Sequence, residues 1–214
     1  MDSGGATADG AVAPPDRRAG IVAAAARLFE EHGYHHSSME EIAERVGLAK
    51  ASLYHYFRRK DEILLAIHNE MIELILDRHG ERVAAGVESC GAELRAMIGD
   101  VISLMETHPG HLRIFFEHQR ELPEDYQAPI RRKRNRFRDE LAALLERGVV
   151  SGEFRKSLDV EMTTLAILGM ANWTYTWLYP EGSRGAAEVA DHFWHLTMRA
   201  IAAPGAVDSV FQVT

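Results

Sequence analysis

Apolar residues recur at intervals of three and four along most of this chain, a spacing that places them on one face of an α-helix. Residues 38–57 show the pattern in two short runs, which are separated by Gly47. The apolar positions of the two runs are Met39, Ile42, Ala43, Val46, Leu53 and Phe57. Glycine is favoured where a helix ends in the left-handed conformation. We therefore predict two short helices joined by a tight turn.

The start of the first short helix carries a capping signal. Ser38 precedes the apolar run and Glu41 follows three residues later, which is the spacing of a capping box. The second short helix, from about Ala49, has Leu53 and Phe57 on one side and small, hydroxyl and basic groups on the other. A short helix with these two sides is suited to the major groove of DNA.

The same periodicity predicts further helices before and after this segment. They span about residues 16–32, 60–76 and beyond, 93–106, 111–120, 129–150, 160–179 and 186–202. Gly80 and Gly86 are weak breakers, while Pro123 and Pro129 bracket a loop or a helix start. No alternating pattern predicts a strand, so we expect an all-α fold of about nine helices.

The eighth predicted helix is apolar on nearly every side. Its apolar residues are Met162, Leu165, Ile167, Leu168, Met170, Trp173, Tyr175, Trp177 and Leu178. A helix without a polar face is buried on several sides, so two interpretations fit: the centre of a second domain, or an interface with another chain. The ninth helix is expected to bury Val189, Phe193, Leu196 and Ile201.

Three stretches carry a family resemblance. LFEEHGY at 28–34, SMEEIAERVG at 38–47 and SLYHYFRRKDEIL at 52–64 resemble the DNA-binding domain of TetR-type transcriptional regulators, and the match covers roughly residues 17–65. The resemblance implies an N-terminal three-helix domain with a helix-turn-helix, followed by a helical domain for ligand binding and dimerisation. It also favours the interface interpretation, with the eighth and ninth helices pairing with their copies in a homodimer.

We accordingly divide the chain into four parts. Residues 1–15 are expected to be a disordered tail, 16–60 the DNA-binding domain, 61–205 the ligand-binding and dimerisation domain, and 206–214 a second tail. The expected partners are a palindromic operator in double-stranded DNA, a second copy of the chain and a small-molecule effector.

The candidate DNA contacts are Ser38, Lys50, Ala51, Ser52, Tyr54, His55, Tyr56 and Lys60. The hydroxyl groups and the ammonium group of Lys60 are expected at phosphates, and the Lys60 role follows from the resemblance. Lys50 suits the two acceptors of guanine, Ala51 suits a thymine methyl group, and His55 reaches a base or a phosphate. The simpler alternatives are that Ser38 only caps its helix and that Tyr56 only packs.

Two residues depart from the family pattern. The family often has a hydroxyl residue as the cap of the second short helix, which is its DNA-recognition helix, and a small polar residue as the cap before the phosphate-binding lysine, here Lys60. Ala49 and Arg59 occupy these positions. The formal net charge of −8 argues against indiscriminate DNA binding. The segment from Val46 to Lys60 nevertheless contains four basic residues and no acidic one. A DNA phosphate close to this segment therefore meets a locally basic surface.

The resemblance also implies an effector pocket among helices four to eight. The candidate lining residues are Met97, Met105, Phe115, Phe116, Arg120, Asn172, Trp173 and Tyr175, and plain core packing is the alternative for each. The stretch RRKRNRFR at 131–138 is either a solvated helix face or a phosphate-binding surface. The stretch NWTYTWLYPEG at 172–182 resembles a branch that controls lipid or steroid catabolism, so an acyl-coenzyme A thioester is one candidate effector.

The other function classes have weaker support. His108, His111 and His118 have ligand-like spacing but no partnering cysteine or tight carboxylate cluster, so we expect neither a metal nor a cofactor. No glycine-rich phosphate loop or paired nucleophile and base indicates an enzyme. A regulator of multidrug efflux with a purely apolar ligand, and a helical interaction module, remain alternatives. With no long apolar run and a single cysteine, we expect a cytoplasmic protein without membrane contact.

Overall fold

The computed structural model describes residues 16–86, 89–108, 110–179 and 182–205, and within these ranges the chain forms nine α-helices. The helices are α1 (Arg17–His32), α2 (Met39–Arg45), α3 (Lys50–Tyr56), α4 (Lys60–Ala85), α5 (Cys90–Thr107), α6 (His111–Glu117), α7 (Glu124–Ser151), α8 (Val160–Trp173) and α9 (Ala186–Ile201). Short 3₁₀ turns follow α6 and α8. The predicted all-α fold is confirmed, whereas both predicted tails lie outside the described residues.

Two apolar cores meet along α4. One contains the buried faces of α1, α2 and α3 and the first half of α4, together with Ile114, Leu122 and Ile130 from later in the chain. The other contains the second half of α4 and the buried faces of α5 to α9. Because α4 contributes to both cores, it connects the N-terminal helices to the rest of the fold.

The predicted continuation of α4 past Leu76 is confirmed, whereas the start of α7 differs from the predicted one. Gly80 lies inside α4, which runs to Ala85, so a single glycine of weak helix propensity does not end this long helix. Helix α7 begins at Glu124, directly after Pro123, so Pro129 lies within it. Acidic residues in the first turn of α7 interact favourably with the helix dipole, and a proline near a helix start removes only one backbone hydrogen bond.

The end of α8 is a further correction, since the helix stops at Trp173 and not near Tyr179. The hydroxyl of Thr174 donates to the carbonyl of Ala171 at 2.7 Å, and that of Thr176 donates to the carbonyl of Trp173 at 2.8 Å. Hydroxyl groups that bond to nearby carbonyls in this way compete with the helical backbone pattern.

Several large apolar side chains of α8 and its neighbours remain exposed in the single chain. Large apolar residues that are exposed here include Met162, Leu165, Trp173, Trp177, Tyr179 and Leu196. The expectation that Leu196 is buried is therefore wrong for the single chain, and Phe193 is only half-buried. We call the exposed side chains of Met162, Leu165, Trp173 and Leu196 the α8–α9 face. No helix among the described residues is both long and apolar enough to span a bilayer.

Candidate DNA-binding surface and effector cavity

The turn between α2 and α3 is built by local hydrogen bonds. The hydroxyl oxygen of Ser38 accepts from the backbone N–H of Glu41 at 3.2 Å, and the Glu41 carboxylate accepts from the backbone N–H of Ser38 at 2.7 Å. This is the predicted capping box. Gly47 has φ +63°, and the N–H of Leu48 donates to the carbonyl of Ala43 at 2.9 Å. The turn therefore needs the left-handed conformation that glycine adopts readily.

Helix α3 presents most of the candidate DNA contacts on one side. Leu53 and Phe57 are fully buried against α1, α2 and α4. The exposed residues of the helix are Lys50, Ala51, Ser52, Tyr54, His55 and Tyr56. Ala49 makes no side-chain cap, as its sequence implies. The Tyr54 side chain is 38 % exposed, so the fold does not cover it.

Lys50 is paired with an acidic residue of the preceding helix. Its ammonium group forms an exposed salt bridge with Glu40, and this hydrogen bond raises the pKa of Lys50. The sequence interval without acidic residues begins at Val46, so Glu40 lies outside it in sequence but reaches Lys50 in space. A contact between Lys50 and a base therefore requires the salt bridge to open.

Lys60 is less available than expected from the resemblance. Its ammonium group donates to the carbonyls of Tyr34 and Ser37 at 2.5 and 2.8 Å and lies 4.4 Å from the centre of the Tyr34 ring. Partial burial lowers the pKa of Lys60. Lys60 therefore braces the loop between α1 and α2, and Ser38 similarly serves as a helix cap. Neither interaction tests whether these residues also contact DNA.

A cavity of about 180 Å³ lies in the C-terminal part of the fold. Its apolar lining consists of Met71, Ile72, Ile75, Val101, Leu112, Phe115, Phe116, Phe137 and Leu168, and its polar lining consists of Arg134, Asn135, Arg138 and Asn172. Asn135 and Arg138 are exposed, so the cavity reaches the surface beside α7. The result is an apolar pocket with two guanidinium groups, one within its wall and one at its mouth.

Arg134 links the cavity to the adjoining helices. Its guanidinium carbon lies 5.1 Å from the centre of the Phe115 ring, and one of its nitrogens donates to the side-chain oxygen of Gln119. Burial lowers the pKa of Arg134, although an arginine with so high an ordinary pKa remains charged. Arg138 forms an exposed salt bridge with Asp139 at 2.7 Å.

The structure divides the eight predicted ligand residues. Phe115, Phe116 and Asn172 line the cavity. Met97, Met105, Arg120 and Trp173 do not line it: the two methionines pack elsewhere in the core, and Arg120 and Trp173 are exposed. Tyr175 is not on the wall either but stacks on Phe116, with ring centroids 5.1 Å apart and an interplanar angle of 20°.

Sequence reasoning missed the contribution of α4 to this cavity. Met71, Ile72 and Ile75 lie on the same apolar stripe as the core residues of α4, and helical spacing alone does not separate a cavity wall from a core contact. The basic stretch at 131–138, by contrast, was recognisable in the sequence as a candidate phosphate-binding surface. It supplies Arg134 and Arg138 to the cavity, whereas Arg136 forms a salt bridge with Glu140.

His68 is a buried polar residue of α4 beside the cavity wall. Its ring centroid lies 5.1 Å from that of Phe115, and neither ring nitrogen has a hydrogen-bond partner among the described residues. Burial, together with the nearby charges of Arg134 and His118, lowers the pKa of His68 to about 3. The imidazole is therefore neutral at physiological pH. Within the described ranges no cluster of three or more His, Cys, Asp or Glu residues is arranged to hold a metal ion.

Comparison with known proteins identifies the family. Residues 21–67 match the family model described as bacterial regulatory proteins, tetR family, and residues 88–201 match the model described as tetracyclin repressor-like, C-terminal domain. The chain belongs to the TetR family of bacterial regulatory proteins. This confirms the predicted class, a transcriptional regulator whose family members bind operator DNA as dimers.

Three relatives illustrate the range of the family. The chain is 26% identical over 189 residues to the HTH-type transcriptional repressor KstR2 of Rhodococcus jostii strain RHA1, with 88% of this chain and 92% of the relative covered. It is 28% identical over 160 residues to the fatty acid metabolism regulator protein of Bacillus subtilis strain 168, with 73% and 80% covered. A crystal structure of AibR in complex with isovaleryl coenzyme A and operator DNA has 27% identity, a TM-score of 0.74, and 85% and 97% coverage.

Proposed function

We propose that this protein is a cytoplasmic repressor that binds a palindromic operator as a homodimer and leaves it when an acyl-coenzyme A thioester fills the effector cavity. The main support for this proposal is that the apolar pocket also contains Arg134 and Arg138. An acyl-coenzyme A has an apolar acyl group, which suits the pocket, joined to a carrier whose phosphates suit guanidinium groups. AibR, at 27% identity, was crystallised with such a thioester and with operator DNA. The protein acts through binding and not through catalysis.

The DNA-binding part is proposed to be residues 16–60, with 61–205 as the effector and dimerisation part. Tyr54, Tyr56 and Ser52 are exposed hydroxyl donors for phosphates, and Lys50, Ala51 and His55 face the same side for base edges. Ser38 and Lys60 are the remaining proposed phosphate contacts. Each would have to share its present hydrogen bonds with a phosphate or exchange them for one. Phosphate contacts fix the register, and the few base contacts supply the sequence preference.

Dimerisation is proposed to use the α8–α9 face. Large apolar side chains that are half or more exposed in one chain lose unfavourable contact with water when a second copy covers them. Two recognition helices held by one two-fold axis then read two half-sites about one helical turn of DNA, near 34 Å, apart.

The effector acts on DNA binding through α4. Met71, Ile72 and Ile75 of this helix form one wall of the cavity, while Lys60 at its first turn braces the loop between α1 and α2. An acyl group that fits better when α4 is displaced shifts the dimer towards a conformation that does not match the operator. A difference of about 1–3 kcal/mol in effector affinity between the two conformations is typical of such coupling.

The test is a titration of full-length protein bound to a fluorescent duplex from its own genomic neighbourhood. We expect isovaleryl- or hexanoyl-coenzyme A to release the duplex, and free coenzyme A to release it far less. Arg138→Ala should raise the thioester concentration needed for half-release about tenfold, because a charge-assisted contact is lost. Arg136→Ala, which removes an exposed arginine of α7 that does not line the cavity, is the matched control.

Two results would contradict the proposal. One is a protein that binds the duplex but is not released by any acyl-coenzyme A, particularly if uncharged hydrophobic compounds release it. The other is an equal effect of Arg136→Ala and Arg138→Ala, which would assign the arginine effect to general charge and not to the cavity mouth.

A further inference from the structure

The volume of the effector cavity limits what it can hold. An apolar protein cavity of about 150 Å³ accommodates one benzene molecule, which has six carbon atoms. The present cavity measures about 180 Å³, and on the same scale that volume accommodates about seven carbon atoms. A short or branched acyl group fits this space, whereas a long straight chain or a fused steroid ring system exceeds it.

A pair of stacked aromatic rings contributes to one wall of the cavity. Phe116 belongs to the cavity wall, and the ring of Tyr175, which is not on that wall, stacks on Phe116 with 5.1 Å between centroids. Phe116 also meets Phe115 edge-on, with centroids 5.1 Å apart, so both neighbouring rings restrict its movement. Stacked and edge-on aromatic pairs are favourable geometries, which makes this wall resistant to displacement.

A second space lies beyond the stack. Tyr175 also lines a gap of about 40 Å³, together with Met105, Leu178 and residues of α1 and α6. Tyr175 belongs to the lining of this gap and Phe116 to the lining of the effector cavity, so the stacked pair connects one lining with the other. Removing one of the rings would extend the cavity towards the gap.

We propose that the effector cavity selects short or branched acyl groups and that the Phe116–Tyr175 stack sets the upper limit of acyl length. This inference rests on the proposed function, since it names the size of the acyl group within the same site. Phe116 and Tyr175 are therefore specificity-determining residues: the wall they form excludes longer chains from the space behind it.

The first experiment compares acyl lengths on the unmodified full-length protein. Isothermal titration with isovaleryl-, hexanoyl- and decanoyl-coenzyme A, each below its micelle concentration, is expected to give at least tenfold weaker binding for decanoyl. Equal or tighter binding of the decanoyl thioester would overturn the size limit and leave the proposed function intact. Absence of binding by all three thioesters would instead overturn the proposed function, so the two failures are distinguishable.

The second experiment tests the stack with variants. Phe116→Ala should strengthen decanoyl-coenzyme A binding at least tenfold relative to hexanoyl, because the chain gains access to the space beyond the ring. Tyr175→Leu, at a half-buried position, is a milder variant that should move the preference in the same direction. Leu158→Ala, which removes a half-buried side chain from the same core away from the cavity, should leave the preference unchanged.

Folding of each variant is checked by circular dichroism and thermal unfolding beside Leu158→Ala. A folded Tyr175→Leu protein that retains the original length preference would overturn the role of the stack, even if Phe116→Ala failed to fold. A change of preference in Leu158→Ala as large as that in the stack variants would overturn it as well.

Discussion

The exposed side of α3 and the α8–α9 face are both open in the single chain, but their chemistry is opposite. The side of α3 carries an ammonium group, hydroxyl groups and an imidazole, all of which water solvates well. The α8–α9 face carries Leu165 and Trp173 at 50 and 62 % exposure. Exposed apolar surface is unfavourable by about 25 cal/mol per Å² until something covers it.

This difference in chemistry indicates which kind of partner suits each surface. A solvated polar surface is stable alone and gains from phosphates that replace the water, which makes its binding reversible and dependent on salt. An apolar surface of this kind is suited to a permanent partner, and a second copy of the chain presents the same residues. The comparison therefore predicts that substitutions on the α8–α9 face disrupt the dimer, whereas substitutions on α3 change DNA affinity and leave the dimer intact.

The largest effect is expected from a charge on the apolar face. Leu165→Glu should give monomers in size-exclusion chromatography with light scattering, because each copy would bury a carboxylate in the proposed dimer interface. Operator affinity should fall about 100-fold or more, since each half-site is then bound separately. Val83→Glu, at an equally exposed apolar residue of α4, is the control and should remain dimeric. A dimeric Leu165→Glu protein would contradict the assigned interface.

Lys60→Ala should affect both stability and DNA binding. The carbonyls of Tyr34 and Ser37 lose a charged donor, so the free energy of unfolding should fall by about 2 kcal/mol. Urea unfolding at one protein concentration measures this change, and fluorescence anisotropy measures the accompanying loss of operator affinity. Unchanged stability would show that the bracing contacts are dispensable and would leave Lys60 available for phosphate.

Tyr54→Ala should weaken binding about tenfold on all duplexes tested, because a phosphate contact carries no sequence information. Tyr54→Phe separates the hydroxyl from the ring and should reproduce most of the loss. Anisotropy titrations on operator and scrambled duplexes check both variants. A loss confined to one operator sequence would instead identify Tyr54 as a base-reading residue.

The smallest effect is expected at Lys50, where a base contact competes with the Glu40 salt bridge. Lys50→Ala should lower operator affinity only about threefold but relax the preference at one position of each half-site. Glu40→Gln should strengthen binding slightly, because the lysine no longer has to leave a carboxylate. Selection from a randomised half-site library measures the preference, and an unchanged preference in Lys50→Ala would exclude its assigned role.

The N-terminal helices were predictable because their signals are local. The capping box of Ser38 and Glu41, the positive φ of Gly47 and the buried pair Leu53 and Phe57 each depend on residues a few positions apart. Such features are determined by backbone sterics and short-range hydrogen bonds, which the order of residues already contains. The extra length of α7 and the early end of α8 were missed because proline tolerance and hydroxyl bonding depend on the position within the finished helix.

The sequence by itself determined the helical fold, the regulatory family and the side of α3 that faces outward. Only the tertiary structure decided which of many similar apolar residues surround a cavity, and that Arg134 and Arg138 adjoin it while Arg136 does not. It also decided that Lys50 meets Glu40 and that Lys60 supports a loop. The physical reason is that periodicity gives the face of a helix, whereas cavities and ion pairs depend on how faces from distant parts of the chain pack together.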